Sequence, residues 1–277
     1  MKLIKSYYIT RCDKKYGPYA YFKEKSLGRV YSDKEIRALD SFIEVVKRGG
    51  YEVIYVLFSG GRDSLVTLHL TWRIGRALNL CVEAVHVDTT VSTPGNIDYV
   101  RAICNKLDVS LIVVRPIHDF FTLVERWGFP TATRRWCCYH LKIEPLKRYF
   151  MECIKRGYKG LIVDGIRADE SPRRYNFPRF GFHRHFKLPC YHPIFDWTKQ
   201  DVVYYIKQHS LLDNPLYRIL PRATECWCTA LKTPKQFIIL KRHWPELFKK
   251  FVEAEARLRT GGSALFKNGR RIYLKDL

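Results

Sequence analysis

Directly after a buried apolar run, the chain carries a set of small, hydroxyl-bearing and charged residues: Ser59, Gly60, Gly61, Arg62, Asp63 and Ser64. Two glycines let a backbone approach an anion closely, and the N–H groups of a following helix N-terminus point at that anion. Arg62 adds a guanidinium, and Asp63 can cap the helix or help to hold a magnesium ion. The pattern predicts a phosphate-binding loop that lacks the lysine of the Walker loop. A tight turn capped by a serine is the structural alternative.

A second group of charged residues lies in the sequence GIRADESPRR, at positions 165–174. Gly165 permits a turn at a strand end. Arg167 and Arg174 can each bind two oxygens of a phosphate or sulfate group, which lysine cannot do. For Arg173, Arg174 and Arg179 the alternative is a solvated basic loop.

Four of the nine cysteines occur as close pairs, Cys137-Cys138 and Cys226-Trp227-Cys228. Four thiolates suit an iron–sulfur cluster or zinc, and nearby basic residues would lower the pKa of the thiols: Arg134, Arg135, Lys142 and Arg222. A redox-active pair and buried structural thiols remain alternatives. The other five cysteines stand alone in the sequence, and burial as small apolar side chains is predicted for them.

The charge balance indicates an anionic partner. The 277 residues include 49 Lys and Arg against 27 Asp and Glu, which gives a net charge of +22. A field of that size attracts polyanions, nucleotides and nucleic acids included. Apolar runs such as residues 51–58 are too short to span a bilayer, and the N-terminus is too charged for a secretory signal, so we expect a cytoplasmic protein without a membrane partner.

Alternating strand and helix patterns must position these groups. Strands are predicted over residues 51–58, 81–88, 109–116 and 160–167, with helices over 65–78 and 97–107 between them, because the apolar runs are continuous in the first set and periodic in the second. The order predicts an open parallel α/β sheet, Rossmann-like, with helices on both faces and ligands at the carboxyl ends of its strands. Three parts are expected: a basic extension (1–31) with a short strand pair, an α/β nucleotide-binding domain (32–210), and a helical, cysteine-containing C-terminal region (211–277).

Five stretches, in order, resemble the phosphoadenylylsulfate (PAPS) reductase family of the PP-loop ATP pyrophosphatase superfamily. They are SGGRDS, HVDTTVSTPGNIDYVR with Thr90 where glycine is common, GIRADESPRR, PIFDWTKQDVVYYI and NPLY. No catalytic role is expected for the last two. The resemblance implies nucleotide-binding roles for Ser59, Gly60, Gly61, Arg62, Asp63, Ser64, Asp88, Thr89, Gly165, Arg167, Ser171 and Arg174, with Arg62 and Asp63 also catalytic.

The same resemblance implies a 4Fe–4S cluster on Cys137, Cys138, Cys226 and Cys228. Two departures bear on it: the second pair is CxC where the family usually has CxxC, and no cysteine follows Cys228, whereas the assimilatory reductases carry a C-terminal nucleophilic cysteine.

We therefore expect an enzyme that binds ATP or an adenylyl sulfonucleotide with Mg²⁺, adenylylates an acceptor, and transfers sulfur to it from a sulfur donor, with tRNA or DNA as acceptor. The alternatives are an adenylylsulfate or PAPS reductase that forms sulfite with a thioredoxin-like reductant or glutathione, and a non-catalytic nucleic-acid-binding protein with a vestigial nucleotide pocket.

Overall fold

The fold is described from a computed structural model, in which residues 32–220, 226–258, 265–267 and 270–277 are described. The strand pair predicted within residues 1–31 lies outside these ranges. Within them, no helix has the length and apolar character needed to cross a membrane.

The strands, in chain order, are β1 (Val53–Leu57), β2 (Cys81–Val87), β3 (Ser110–Val114), β4 (Gly160–Val163), β5 (Phe180–Phe182), β6 (Pro189–Tyr191), β7 (Leu265–Lys267) and β8 (Arg270–Ile272). The helices are α1 (Asp33–Gly49), α2 (Arg62–Leu78), α3 (Asn96–Leu107), α4 (Phe120–Trp127), α5 (Trp136–Cys138), α6 (Glu144–Lys155), α7 (Pro172–Tyr175), α8 (Lys199–Gln208), α9 (Pro234–His243) and α10 (Pro245–Arg257). A π-helical turn, Tyr139–Ile143, joins α5 to α6.

Six strands form one sheet in the order β3-β2-β1-β4-β6-β5. The pairs β1–β2, β1–β4 and β4–β6 are parallel, and Val53 of β1 lies opposite both Cys81 and Gly160. The predicted open α/β fold is confirmed, with two differences. Two short strands, β5 and β6, extend the sheet, and β5 runs antiparallel to β6 at its edge.

The chain order reverses on either side of β1, so β1 and β4 flank the switch point of the sheet. In open α/β sheets, ligands bind beside such a point at the carboxyl ends of the strands. The loops after β1 and β4 are the two sequence segments for which anion binding is predicted.

Local signals explain where the helices begin and end. The Ser32 hydroxyl accepts a hydrogen bond from the Glu35 N–H at the start of α1, and Gly50 ends that helix with a φ of 58°. At the start of α8 the Thr198 hydroxyl accepts a hydrogen bond from the Asp201 N–H. Nearby in the chain, Asp196 forms an ion pair with Arg179.

The chain separates into two compact units, and the three-part division expected from the sequence stays a prediction. Unit 1 contains the described residues through His86 together with Asp98–Val113 and Tyr149–Asn214. Unit 2 contains Val87–Ile97, Val114–Arg148 and the described residues from Pro215 onward.

Each unit has its own core. In unit 1, β1 and β4 are buried along almost their whole length, as expected for central parallel strands. Glu35, fully buried on α1, pairs with Arg73 of α2 at 2.5 Å and with His209 at 3.0 Å. In unit 2 the core is aromatic, with Phe120, Phe237 and Phe251 fully buried.

Candidate functional site

The loop after β1 is shaped by one left-handed glycine and two serine contacts. Gly60 has a φ of 89°, a conformation that glycine adopts without steric cost. The hydroxyl oxygens of Ser59 and Ser64 lie 3.1 Å apart, and Ser64 Oγ donates to the Gly61 carbonyl at 2.9 Å. The N-cap residue of α2 is Gly61, which has no side chain to accept a hydrogen bond from the first turn. An N-cap residue without an acceptor of its own suits a helix N-terminus that binds an anion.

The loop after β4 packs directly on that first turn. A β-carbon at Gly165 would lie 2.8 Å from the Asp63 backbone carbon and 3.1 Å from the Ser64 nitrogen, so any larger residue would force the two segments apart. From the sequence, we explained Gly165 by the freedom of glycine to form a turn. The structure gives a different reason for glycine here, the close approach of this loop to the backbone of Asp63 and Ser64.

Arg167 connects the two loops electrostatically. It is 6% exposed, and its Nε donates to Asp63 Oδ1 at 2.8 Å. Its Nη1 donates to Asp169 Oδ2 at 3.1 Å. Asp63 is therefore not the cap of α2 but the partner of Arg167, and an anion-binding role for this guanidinium stays a prediction.

Arg62 is held by a residue that the sequence analysis did not single out. Its Nε lies 3.0 and 2.9 Å from the two carboxylate oxygens of Asp213, which also forms an ion pair with its Nη2. The next residue, Asn214, is buried and donates from Nδ2 to the Gly60 carbonyl at 2.9 Å. The NPLY segment, one of the stretches that resemble the family, begins with Asn214. Through its hydrogen bond to Gly60, this residue positions the backbone of the loop after β1.

Ser171 and Arg174 have local partners. The Ser171 hydroxyl accepts a hydrogen bond from the Arg174 N–H and caps α7. The Arg174 side chain forms an ion pair with Glu170, whose carboxylate also accepts the Arg167 N–H at 3.2 Å. Their predicted nucleotide contacts remain untested.

Asp88 and Thr89 follow β2 directly and belong to unit 2. The Asp88 carboxylate accepts from Arg115 Nε and from the Thr90 N–H, each at 2.9 Å. Thr90 has a φ of 63°, and its hydroxyl accepts the Phe120 N–H. This left-handed conformation explains why glycine suits the position. In this chain the hydrogen bond from the Phe120 N–H to the Thr90 hydroxyl compensates for the cost of threonine there.

The two cysteine pairs come together within unit 2. Cys226 Sγ lies 3.4 Å from Cys228 Sγ, and Cys137 makes side-chain hydrogen bonds with both Cys138 and Cys228. Fully buried Trp227 anchors the second pair, since its backbone N–H donates to Val91 and its indole N–H to Thr93. The CxC spacing therefore does not keep the four thiols apart.

Cys138 has a lower pKa than Cys137 and Cys228. The hydrogen bond from Cys137, with a further contribution from Lys142, lowers the pKa of exposed Cys138 to about 7. The hydrogen bond between Cys137 and Cys138 raises the pKa of Cys137 to about 12. The hydrogen bond between Cys137 and Cys228 raises the pKa of Cys228 to about 11. Four converging sulfur donors, one of them partly ionised at neutral pH beside a lysine, fit a thiolate-ligated metal centre.

The remaining cysteines largely follow the prediction. Cys104, Cys153 and Cys190 are buried free thiols. Cys81 departs from it, because it is disulfide-bonded. Cys12 and the basic residue Arg222 lie outside the described residues.

A family model for the phosphoadenosine phosphosulfate reductase domain matches residues 53–221, more than half of the chain. The adenosine 5'-phosphosulfate reductase of Mycobacterium tuberculosis is 32% identical over 174 residues, which cover 62% of this chain and 64% of that protein. The chain spans about half the length of two other curated relatives, uncharacterized proteins of Methanocaldococcus jannaschii.

Two solved structures resemble the fold. The PAPS reductase from Candida auris superposes with a TM-score of 0.52 at 17% identity, over 72% of this chain and 97% of that one. The U34-tRNA thiolase from Methanococcus maripaludis, solved with its 4Fe–4S cluster, gives a TM-score of 0.53 at 14% identity, over 86% of this chain and 78% of that one. With its PP-loop α/β fold and the family match across the sheet, the chain belongs to the phosphoadenosine phosphosulfate reductase domain family.

Proposed function

We propose that this chain is an ATP-dependent sulfurtransferase that adenylylates a nucleic-acid acceptor and then replaces the activated oxygen with sulfur. The gathering of Cys137, Cys138, Cys226 and Cys228 in unit 2 is the observation that carries the proposal. It adds sulfur chemistry to a chain in which the loop after β1 is predicted to bind phosphate. The tRNA thiolase of similar fold, which holds a 4Fe–4S cluster, supports this combination.

Unit 1 binds and activates the nucleotide in this proposal. The first-turn N–H groups of α2 and the hydroxyls of Ser59 and Ser64 bind the phosphates of ATP, and magnesium neutralises their charge. Asp213 and Asn214 position Arg62 and the Gly60 carbonyl, so the loop is organised before the ligand arrives. Arg62 and Asp63 are the candidate catalytic residues.

The chemistry has two steps. An acceptor oxygen attacks the α-phosphorus, so that the new P–O bond forms as the bond to pyrophosphate breaks. A sulfur nucleophile then forms a bond to the acceptor atom that carried this oxygen, and AMP leaves with the oxygen and its electron pair. Cys137, Cys138, Cys226 and Cys228 would hold a 4Fe–4S cluster, and one of these thiolates would have to leave its iron for the cluster to supply a site for a sulfur ligand.

The surface of unit 1 fits a nucleic-acid acceptor. The edge strand β5 exposes Phe180 and Phe182, which are 45% and 75% accessible and lie on one face of the strand because side chains alternate. The exposed basic residues Arg173, Arg184 and Lys187 flank this strand in the chain. Unpaired bases stack on aromatic rings while basic side chains neutralise phosphates, and the net charge of +22 adds long-range attraction.

A second function has one specific observation in its favour, the 32% identity to the mycobacterial adenosine 5'-phosphosulfate reductase. That function is reduction of a sulfonucleotide to sulfite by an external thiol.

Product analysis separates the two functions. Anaerobically purified protein, reconstituted with iron and sulfide, is incubated with ATP, sulfide as the sulfur donor, and tRNA or DNA. In parallel it is incubated with adenylylsulfate or PAPS plus thioredoxin or glutathione. We expect pyrophosphate and AMP from ATP in a nucleic-acid-dependent reaction, with loss of both products in the Ser59→Ala/Gly61→Val double variant. Sulfite without pyrophosphate would establish the reductase instead. Absence of both products from a folded, iron-loaded protein would leave a nucleic-acid-binding protein.

A further inference from the structure

A second group of metal-binding side chains lies in unit 1, apart from the four-cysteine cluster: Asp164, Cys190 and His192. Asp164 directly follows β4, Cys190 belongs to β6, and His192 directly follows β6. Because β4 and β6 are parallel neighbours with Val163 opposite Tyr191, their carboxyl ends bring the three side chains together.

The donor atoms lie close to one another. One ligand atom from each residue lies within 4.8 Å of the other two. His192 Nδ1 is 2.6 Å from Asp164 Oδ1, and Cys190 Sγ is 4.0 Å from Asp164 Oδ2. In a tetrahedral zinc site, with bonds of about 2.0–2.3 Å, neighbouring ligand atoms are about 3.3–3.8 Å apart. The observed distances lie on either side of that range, so small side-chain rotations would satisfy it.

The surroundings favour an ion here. Cys190 and His192 are only 5% and 6% exposed, and Asp164 is half-buried. The Ile166 N–H donates to Asp164 Oδ1 at 3.1 Å, which fixes the orientation of the carboxylate. A divalent cation would supply positive charge to this largely enclosed group of carboxylate, thiol and imidazole side chains.

We propose that Asp164, Cys190 and His192 bind one zinc ion. Thiolate, imidazole and carboxylate together form a zinc donor set, whereas magnesium and calcium prefer oxygen ligands alone. Three protein ligands leave a fourth position for water. Since Gly165 packs on the first turn of α2, the ion would join β6 to the loop that supports the phosphate-binding segment.

Metal analysis of the full chain tests this inference. Chelator-stripped protein is reloaded with excess zinc, desalted and assayed for zinc per chain. The variants are Cys190→Ala and His192→Gln, and the control is Cys153→Ala, which removes another buried thiol of unit 1. We expect the wild type and Cys153→Ala to retain one zinc more than either site variant. Zinc bound by the four-cysteine cluster contributes equally to all of them and cancels in the comparison.

Substitution with cobalt gives a second readout, because each Co²⁺–thiolate bond absorbs in the near ultraviolet. Cys190→Ala should lower this absorption by the contribution of one such bond. Should Cys190→Ala fail to fold, His192→Gln still decides the zinc count. Equal zinc in wild type and His192→Gln, with the fold intact by circular dichroism, would overturn the proposal. Iron content and pyrophosphate release report on the proposed function separately.

Discussion

Arg167 Nε and Asp63 Oδ1, 104 positions apart in the chain, form a 2.8 Å ion pair that joins the loop after β4 to the first turn of α2. Both side chains were predicted to contact the nucleotide, yet in the structure they contact each other. The pair therefore stabilises the geometry of the loop that we propose to bind phosphate.

A double-mutant cycle with Asp63→Asn and Arg167→Gln measures this pair. Because the Arg167 side chain is buried, we expect a coupling of about 1–3 kcal/mol in the free energy of urea unfolding. The control cycle uses the exposed pair Arg48–Glu44, for which about 0.5 kcal/mol or less is expected. Equal coupling in the two cycles would contradict a structural role for the Arg167 pair.

Gly165→Ala tests the close approach of the two loops. The added β-carbon would meet the backbone of Asp63 at 2.8 Å, and backbone cannot move aside as a flexible side chain does. We expect a loss of about 1–3 kcal/mol of stability and at least roughly tenfold weaker ATP binding, measured by thermal unfolding and calorimetry. Gly181→Ala is the control, since its β-carbon would meet only the Pro178 ring, at 3.3 Å. Unchanged ATP affinity in Gly165→Ala would remove this loop from the nucleotide site.

The ionisation of Cys138 predicts a pH-dependent reactivity in the metal-free protein. Its pKa of about 7 lies below the ordinary thiol value, so the reactive thiolate is lost only as the pH falls through 7. Alkylation by iodoacetamide, followed by mass spectrometry of the Cys138 peptide, should rise with pH with a midpoint near 7.

Two variants identify the cause of that shift. Cys137→Ala removes the largest stabilising hydrogen bond and should move the midpoint upward, and Lys142→Met should do so by a smaller amount. Lys147→Met, an exposed lysine on α6, serves as the control and should leave the midpoint in place. A wild-type midpoint near that of an ordinary thiol would refute the assigned microenvironment.

The aromatic edge of the sheet predicts a contribution to nucleic-acid affinity. Since a base stacked on an aromatic ring contributes about 1–3 kcal/mol, Phe180→Ala/Phe182→Ala should weaken binding of single-stranded RNA by roughly tenfold or more in fluorescence anisotropy. Tyr204→Ala removes an exposed aromatic ring from α8 as the control. Affinity should also fall steeply with salt. Unchanged affinity in the double variant would exclude β5 from the interface.

The sequence by itself determined the fold and predicted which segment binds phosphate. Continuous apolar strands at 51–58 and 160–167, alternating with helical patterns, are local signals, and they carry enough information to predict a parallel sheet. The glycine at 60 meets a local backbone requirement, a positive φ, that can be recognised in the same way. The short strands β5 and β6 were missed because three residues give too little periodicity to identify a strand.

Tertiary structure alone decided which charged groups meet. Arg62 pairs with Asp213 and Arg167 with Asp63, and the partners are 151 and 104 positions apart. No local pattern encodes such separations, because they depend on how parallel strands bring distant chain segments to one edge. The same holds for Asp164, Cys190 and His192, whose side chains converge only because β4 and β6 are neighbours in the sheet.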